Sequence, residues 1–241
     1  MRTSQAWLLN VGTPDAVRRI PINTISLTGE VLGKEFESSL ERDLIMKAAW
    51  NRQLDWFQVQ PVKIPFLDTD GKQRSYTPDL LISFIPDAIT GLPVRRPLLC
   101  EVKYLDDLRR NWPELKPKFR AARAYARERG WEFKIFTEKR VRDGLLQNIQ
   151  FLWSYRFAAD HHGHRDRLIR MLDDMEETSI AGLLEACYLP SNRYGRGEGQ
   201  WTLWCLIAKQ TILCDLSLPL SMETRVWLTP ILQADDAGDE D

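Results

Sequence analysis

Apolar residues recur at helical spacing between positions 34 and 50, and they give the first predicted element of the chain. The apolar positions that share one half of a helical wheel are Phe36, Leu40, Leu44, Ile45 and Ala48. Glu37 and Glu41 fall in the same half. An acid on the core-facing side of a helix is costly unless it has a partner. The pattern therefore predicts a helix over residues 34–50 whose acids are paired.

Two strands joined by a hairpin are predicted next. Residues 56–66 and 73–84 read as strands, and the segment between them contains Asp70-Gly71, a dipeptide typical of hairpin turns. The two prolines of the first strand put it at a sheet edge or a bulge. A third strand is predicted over residues 97–103, where the apolar run Leu98-Leu99-Cys100 ends in Glu101-Val102-Lys103.

Helices alternate with one more strand in the rest of this region. Because proline suits the start of a helix, we expect a helix from Pro117 to Gly130. A strand over residues 131–137 and a helix over residues 141–156 follow. The order of helix, three strands, helix, strand and helix predicts an α/β fold with a mixed sheet flanked by helices.

The chain changes character after Arg156, where Asp160 to His164 form a polar hinge. We expect a larger domain over residues 1–158 and a smaller one over residues 159–241. The elements expected in the smaller domain are helices 165–177 and 180–188, a glycine-rich loop 195–199, a helix 200–209, and strands 211–216 and 223–228. Three helices with a two-stranded ribbon predict a winged-helix-like domain from element order alone.

Composition excludes several classes of protein. The 241 residues contain no run of about eighteen uncharged apolar residues, and the start of the chain has no signal-peptide pattern, so we expect a cytoplasmic protein without a membrane span. The four cysteines show no C-x-x-C pair, which argues against a zinc site or a disulfide framework. All three histidines lie between residues 161 and 164, so Ser-His or Cys-His catalysis in the first domain is disfavoured.

The net charge of −1 conceals a basic segment. Residues 108–142 carry twelve Lys and Arg against four Asp and Glu, whereas residues 234–241 carry five acids and no base. Such a segment is either a solvated face or a surface that contacts nucleic-acid phosphates. Its closeness in sequence to Glu101-Val102-Lys103 favours contact with nucleic acid.

Acidic residues at two predicted strand ends indicate a metal site. Asp79 enters one strand after Tyr76-Thr77-Pro78, and Glu101 and Lys103 share one face at the end of the next strand. Hard oxygen ligands of this kind suit Mg²⁺ or Mn²⁺. We expect Asp79 and Glu101 to be metal ligands, with the backbone carbonyl of Val102 as a third.

Two further side chains complete the predicted catalytic set. Lys103 would orient the attacking water or balance charge on the phosphorus. Glu41 would bind a second metal or a metal-bound water from its helix. Each residue also has a structural alternative: Pro-Asp is common in turns, Glu-x-Lys is common on exposed strands, and an acid can favour the first turn of a helix. Their joint order predicts metal-dependent hydrolysis of nucleic acid.

The segment 28–103 resembles the TnsA family, the endonuclease subunits of heteromeric transposases. The matching stretches are Thr28-Gly29-Glu30-Val31, the run from Phe36 to Asp43, Gln60-Pro61, Tyr76-Thr77-Pro78-Asp79 and Glu101-Val102-Lys103. Order and spacing agree over roughly a third of the chain, and together they are more specific than any single motif.

The resemblance implies a restriction-endonuclease-like nuclease domain that uses Mg²⁺ to cut DNA at the 5′ ends of a transposon. It carries the family's glutamate, aspartate and lysine onto Glu41, Asp79 and Lys103. The position two before the lysine, which can be glutamine in the family, is Glu101 here. The implied partners are the transposase subunit that cuts the 3′ ends and, through the winged-helix-like domain, the AAA+ ATPase regulator of transposition.

Two other interpretations remain open from the sequence. One is a free-standing restriction or repair nuclease of the same fold, which would cut purified DNA with Mg²⁺ alone. The other is an inactive nuclease-like assembly factor. The retention of all four candidate residues argues against the latter, because a scaffold has no need to gather unpaired carboxylates.

Overall fold

The computed structural model describes residues 30–31, 34–35, 38–91, 94–160 and 163–230. The chain forms two compact units, Met1–Arg142 and Asp143–Asp241. The expected domain bounds stay a prediction, and the division at Arg142/Asp143 falls sixteen residues before the boundary expected at 158/159. The reason is that the helix following Arg142 packs within the second unit.

The first unit contains a four-stranded mixed sheet. The elements of the first unit, in chain order, are β1 (Glu30–Val31), β2 (Lys34–Glu35), α1 (Ser39–Trp50), β3 (Leu54–Val59), β4 (Ile64–Leu67), β5 (Gln73–Tyr76), β6 (Leu80–Phe84), β7 (Leu98–Val102), α2 (Leu105–Arg110), α3 (Trp112–Glu128), β8 (Glu132–Phe136) and α4 (Glu138–Val141). The strand order is β3-β6-β7-β8, and only the β7–β8 pair of this sheet is parallel. Helices pack on the sheet as expected for the α/β class.

The first helix is shorter than predicted. Ser38 caps α1 by accepting a hydrogen bond from the Glu41 amide at 3.2 Å, whereas Lys34 and Glu35 lie in β2. A cap satisfies amides that have no partner inside the helix, so the start is fixed at Ser38. Phe36 and Glu37, which were assigned to this helix, lie outside the described residues.

Each of the two predicted long strands is two strands. The first is interrupted at Gln60, whose φ is 48°, and at Pro61, so β3 joins the main sheet while β4 does not. The second is interrupted at Pro78, between β5 and β6. The hairpin expected at Asp70-Gly71 is confirmed: β4 and β5 pair antiparallel, and Gly71 has a φ of 77°.

Apolar cores lie on both faces of the sheet. Leu80, Ile82 and Cys100 pack against α1, whereas the alternating residues Leu81 and Leu99 pack against α3. Successive side chains of a strand face opposite sides, so strands buried on both faces are apolar at almost every position. This explains the unbroken apolar runs at residues 80–82 and 98–100.

The helix after β7 begins earlier than predicted. Helix α3 starts at Trp112, with Pro113 in its first turn and Pro117 inside it, so Pro117 does not mark the start. The short helix α2 precedes α3 and was not predicted. The end at Gly130 is confirmed, since Gly130 adopts the left-handed conformation, with a φ of 71°, just after the helix.

The second unit combines helices with a small antiparallel sheet. Its elements are α5 (Gly144–Leu152), a 3-10 helix (Ser154–Phe157), α6 (His164–Met175), β9 (Glu177–Ser179), α7 (Ile180–Cys187), α8 (Arg193–Ala208), β10 (Ile212–Cys214) and β11 (Arg225–Leu228). The strands are ordered β10-β11-β9, so the expected two-stranded ribbon has a third strand. The single helix predicted over residues 141–156 is divided into α4, α5 and the 3-10 helix.

The predicted glycine-rich loop at residues 195–199 is helical. These residues form the first part of α8, which Asn192 caps by accepting a hydrogen bond from the Gly195 amide at 3.0 Å. Gly199 lies against the ring of Tyr188, where a Cβ atom would overlap the ring. The glycine is therefore needed for close packing between α8 and the end of α7 rather than for a turn. His164, assigned to the polar hinge, begins α6.

No helix among the described residues is long and apolar enough to cross a bilayer.

Candidate active site

Asp79 and Glu101 meet at one end of the β6–β7 pair. The antiparallel register aligns Leu80 with Cys100, so Asp79 at the start of β6 stands opposite Glu101 near the end of β7. The Asp79 amide donates to the Cys100 carbonyl at 3.1 Å, and the Val102 amide donates to Oδ2 of Asp79 at 2.6 Å. The structure thus brings together the two strand carboxylates expected to hold metal.

The Glu101 carboxylate is buried in a polar cage on the α3 side of the sheet. It is 1% exposed, and the Tyr76 hydroxyl donates to its Oε2 at 2.5 Å. The Nζ atoms of Lys118 and Lys103 lie 3.4 and 3.8 Å from its Oε1. A buried carboxylate requires such hydrogen bonds and positive charge, because its hydration is lost.

The site concentrates negative charge. Burial and the adjacent Glu101 raise the pKa of Asp79 from 3.8 to about 8, and the charge of Glu41 adds to this effect. The hydrogen bond from the Val102 amide and the charge of Lys103 act in the opposite direction. Repulsion between close carboxylates is relieved either by a proton or by a cation.

Tyr76 serves this site as a hydrogen-bond donor. Burial, followed by the negative charge of Glu101, raises the pKa of Tyr76 far above its ordinary value of 10. The phenol therefore stays protonated at neutral pH and fixes the orientation of the Glu101 carboxylate. The Tyr76 ring also packs edge-on against Phe119 of α3, with the ring centres 6.2 Å apart.

Glu41 lies in the first turn of α1, where the Ser38 hydroxyl donates to its Oε1 at 3.2 Å. Helix α1 packs on the opposite face of the sheet from Tyr76 and Lys118, and Glu41 acts on Asp79 through its charge. Among the described residues, no group of three or more His, Cys, Asp or Glu side chains is arranged to hold a metal ion. The roles assigned to Glu41 and to the Val102 carbonyl stay predictions.

The acid buried in α1 is Asp43 rather than Glu41. Asp43 is 2% exposed, and its carboxylate accepts hydrogen bonds from Arg142 at 2.8 Å and from Arg42 at 3.0 Å. Arg142 also donates to the Ser39 hydroxyl at 2.7 Å. This network ties α4 to the first turns of α1 and so fixes the turn that carries Glu41.

Sequence reasoning did not assign Tyr76 or Lys118 to the site. Tyr76 was part of the recognised motif without a role, and Lys118 was grouped with the phosphate-contacting bases. The Lys118 side chain is only 19% exposed, and its Nζ lies 4.7 Å from the centre of the Tyr76 ring. The sequence does place Lys118 beside the apolar residue Phe119, at the border of the apolar face of α3. This position could have indicated that Lys118 turns towards the sheet rather than towards solvent.

Four bases form a stripe along one side of α3. Lys116, Arg120, Arg123 and Arg127 follow the i, i+4, i+7, i+11 spacing and are exposed. No ion pair joins them to an acid in the part of the chain that the structure describes. The stripe therefore presents uncompensated positive charge to solvent.

Residues 51–138 match the family model described as TnsA-like endonuclease N terminal. This segment is thus similar to the N-terminal domain of TnsA-like endonucleases. The match confirms the resemblance seen in the sequence and contains Asp79, Glu101, Val102 and Lys103, whereas Glu41 precedes it. A search of curated proteins found no match to the chain.

The donor groups of the TnsA-like domain are suited to a hard divalent cation. Asp79 and Glu101 stand opposite each other in the register, and the pKa of Asp79 is raised by burial and, after it, by the charge of Glu101, both of which a bound cation would offset. Mg²⁺ is commonly bound through one or two carboxylates, with water and substrate phosphate completing its octahedron. Two strand carboxylates are therefore enough for such a site.

Proposed function

We propose that this protein is a Mg²⁺-dependent DNA endonuclease subunit of a transposase, which cuts the 5′, non-transferred strand at transposon ends. The observation that carries the proposal is the register pairing of Asp79 with Glu101 inside a TnsA-like endonuclease domain. A restriction-endonuclease-like arrangement, in which adjacent strands of a mixed sheet present the carboxylates, agrees with this function.

The residues have distinct roles in the proposed reaction. Asp79 and Glu101, with the Val102 carbonyl, would hold Mg²⁺ or Mn²⁺, and Glu41 would hold a second ion or its water. A metal bound there supplies Lewis acidity and a water of lowered pKa. Lys103, whose side chain is 36% exposed, would stabilise charge at the scissile phosphate. Tyr76 and Lys118 would keep the Glu101 carboxylate oriented.

The DNA substrate would contact the basic stripe of α3. Helix α3 also contributes Lys118 to the Glu101 carboxylate, so the stripe belongs to an element that lies against the site. Coulomb attraction to phosphates supplies much of the affinity of proteins for DNA. The stripe has the unpaired charge that such contacts require.

The second unit would engage protein partners, namely the subunit that cuts the 3′ ends and the AAA+ ATPase regulator. From α6 onward its order of helix, strand, two helices and two strands, with β9 beside β11, supports a winged-helix-like fold. Residues 143–230 carry eight Lys and Arg against eleven Asp and Glu, so this unit lacks the positive charge that favours DNA.

Strand-specific nicking of a labelled transposon end tests the proposal. With Mg²⁺ and the transposase subunit present, the wild-type chain should nick the 5′ strand, and Asp79→Asn should reduce the rate by at least about a thousandfold, since a metal ligand is lost while the shape is retained. The matched control is Asp70→Asn in the exposed hairpin, which should cut at the wild-type rate.

Two results would contradict this function. Equal cutting by Asp79→Asn and wild type would remove Asp79 from the site. Efficient cutting of purified DNA without the transposase would instead identify a free-standing nuclease of the same fold.

A further inference from the structure

A second basic site lies at the opposite end of the sheet from the carboxylates. A groove of about 490 Å³ is lined by the bases Arg95, Arg96 and Lys134 and by the apolar residues Phe84 and Leu98. Through Arg95 and Phe84 it continues into a smaller groove of about 220 Å³ that Arg52 borders. Four bases thus line two neighbouring grooves that share Phe84, Val94 and Arg95.

The groove is separate from the candidate active site. Leu98 begins β7 and Glu101 lies three residues further, which is about 10 Å along a strand. The two side chains also face opposite sides, since Leu98 packs with the α1 core and Glu101 contacts Lys118 of α3. The groove therefore lies on the α1 side, away from the stripe of α3.

The bases of the groove are largely uncompensated. Lys134 pairs with Glu132, the acid in the lining, at 2.9 Å. No ion pair links Arg52, Arg95 or Arg96 to an acid among the residues described. The hydrogen bond from Lys134, together with the charges of Arg96 and Arg95, holds the pKa of Glu132 below its ordinary value. The potential in the groove is therefore positive.

The distribution of charge favours an extended anion over a compact one. Arg96 and Lys134 line one end, Arg95 lies at the junction, where its guanidinium is 5.6 Å from the centre of the Phe84 ring, and Arg52 borders the other end. Guanidinium groups match the oxygens of a phosphodiester in two-pronged hydrogen bonds. A row of such groups suits successive phosphates of one strand.

We infer that the groove lined by Arg52, Arg95, Arg96 and Lys134 binds the phosphate backbone of a second DNA segment, distinct from the one being cut. This inference rests on the proposed function, because it extends the DNA contacts of the nuclease to the other face of its sheet. It gives the chain two backbone-binding surfaces, one on each side of the sheet.

The test measures binding of the full-length chain to a labelled duplex across a salt series without divalent metal. The slope of log K against log salt is negative, and each lost phosphate contact reduces its magnitude by about 0.9. R95Q/R96Q should therefore reduce the magnitude of the slope by about 2. The matched control K63Q/K72Q removes two exposed charges elsewhere in the same unit and should keep the wild-type slope. K116Q/R120Q reports on the stripe of α3 in the same assay.

The outcomes separate the two proposals. Reduced slopes for both R95Q/R96Q and K116Q/R120Q support the second site. A reduced slope for K116Q/R120Q alone overturns it and leaves the proposed function standing. Absence of salt-dependent DNA binding by the wild type overturns the second site, whereas the nicking assay with the transposase present decides the proposed function. Binding of free ATP that is lost in R95Q/R96Q, with unchanged DNA slopes, would assign the groove to a free nucleotide and overturn the DNA contact.

Discussion

At the residue scale, the Glu101 carboxylate shows how this chain holds a buried charge. Tyr76 donates a hydrogen bond to one oxygen, and Lys118 lies close to the other. Where the family resemblance allows glutamine, this chain has glutamate and places a lysine of α3 beside it. The extra negative charge and the nearby ammonium compensate each other, which leaves the more exposed Lys103 available to substrate.

Substitutions of Lys118 and Glu101 should have non-additive effects on stability. Lys118→Met leaves Glu101 buried beside a more distant cation, so we expect a loss of about 1–3 kcal/mol in the free energy of unfolding. Glu101→Gln in the same chain should restore part of it, with a coupling energy of about 1–3 kcal/mol in a double-mutant cycle from denaturant unfolding. The control is Lys116→Met, because Lys116 is an exposed lysine of the same helix. It should change the free energy of unfolding by less than about 0.5 kcal/mol. Additive effects of the Lys118 and Glu101 substitutions would contradict the pairing.

The raised pKa of Asp79 predicts a pH-dependent stability in the absence of metal. Between pH 3.8 and about 8 the folded chain keeps a proton on Asp79 that the unfolded chain has released. Stability from this group is therefore complete below pH 3.8 and is lost as pH rises towards 8, by no more than about 1.4 kcal/mol per pH unit. The Asp79→Asn variant should not show this loss, so its stability relative to the wild type should increase as pH rises.

Thermal unfolding across this pH range measures the effect. Asp70→Asn should follow the wild type, because Asp70 is exposed in the hairpin. Added Mg²⁺ should raise the melting temperature of the wild type near pH 8 more than that of Asp79→Asn, since a ligand of the folded state stabilises it. Parallel pH profiles for wild type and Asp79→Asn would show that Asp79 does not titrate in this window.

At the element scale, single side chains decide where helices begin and what they contact. Ser38 fixes the start of α1, and the Arg142 bridge to Asp43 ties that helix to α4. In the second unit, the glycines at the start of α8 are compatible with a helix because Asn192 caps it and the Tyr188 ring occupies the space beside Gly199. Packing has overridden the low helix propensity of glycine.

Two glycines of α8 should respond oppositely to alanine. Gly199→Ala places a methyl group into the Tyr188 ring and should destabilise the protein by about 1–3 kcal/mol. Gly197→Ala meets open space on an exposed helical position and should stabilise it by about 0.5–1 kcal/mol. Chemical denaturation of both variants measures this pair. Destabilisation by Gly197→Ala would indicate that this segment is not helical.

At the scale of the whole molecule, charge is divided between the two units. Residues 38–142 carry twenty-one Lys and Arg against fourteen Asp and Glu, whereas residues 143–230 carry more acids than bases. The near-neutral total therefore combines a basic first unit with an acidic second unit. This division favours DNA contacts on the first unit and protein contacts on the second.

The sequence alone determined those features that are encoded within a few neighbouring residues. The hairpin at Asp70-Gly71 and the placement of Asp79 and Glu101 at strand ends follow from turn chemistry and from strand alternation. The family resemblance also points to Asp79, whereas Glu101 stands where the family can have glutamine.

Only the tertiary structure decided the rest. The division of each long strand in two, the Lys118 partner of Glu101 and the helical path through Gly199 all depend on contacts between residues far apart in sequence. Local patterns record what a segment favours by itself, whereas these features follow from which segments are packed against it. The energy of burying a carboxylate or an aromatic ring exceeds local preference, so the final arrangement is set where distant side chains meet.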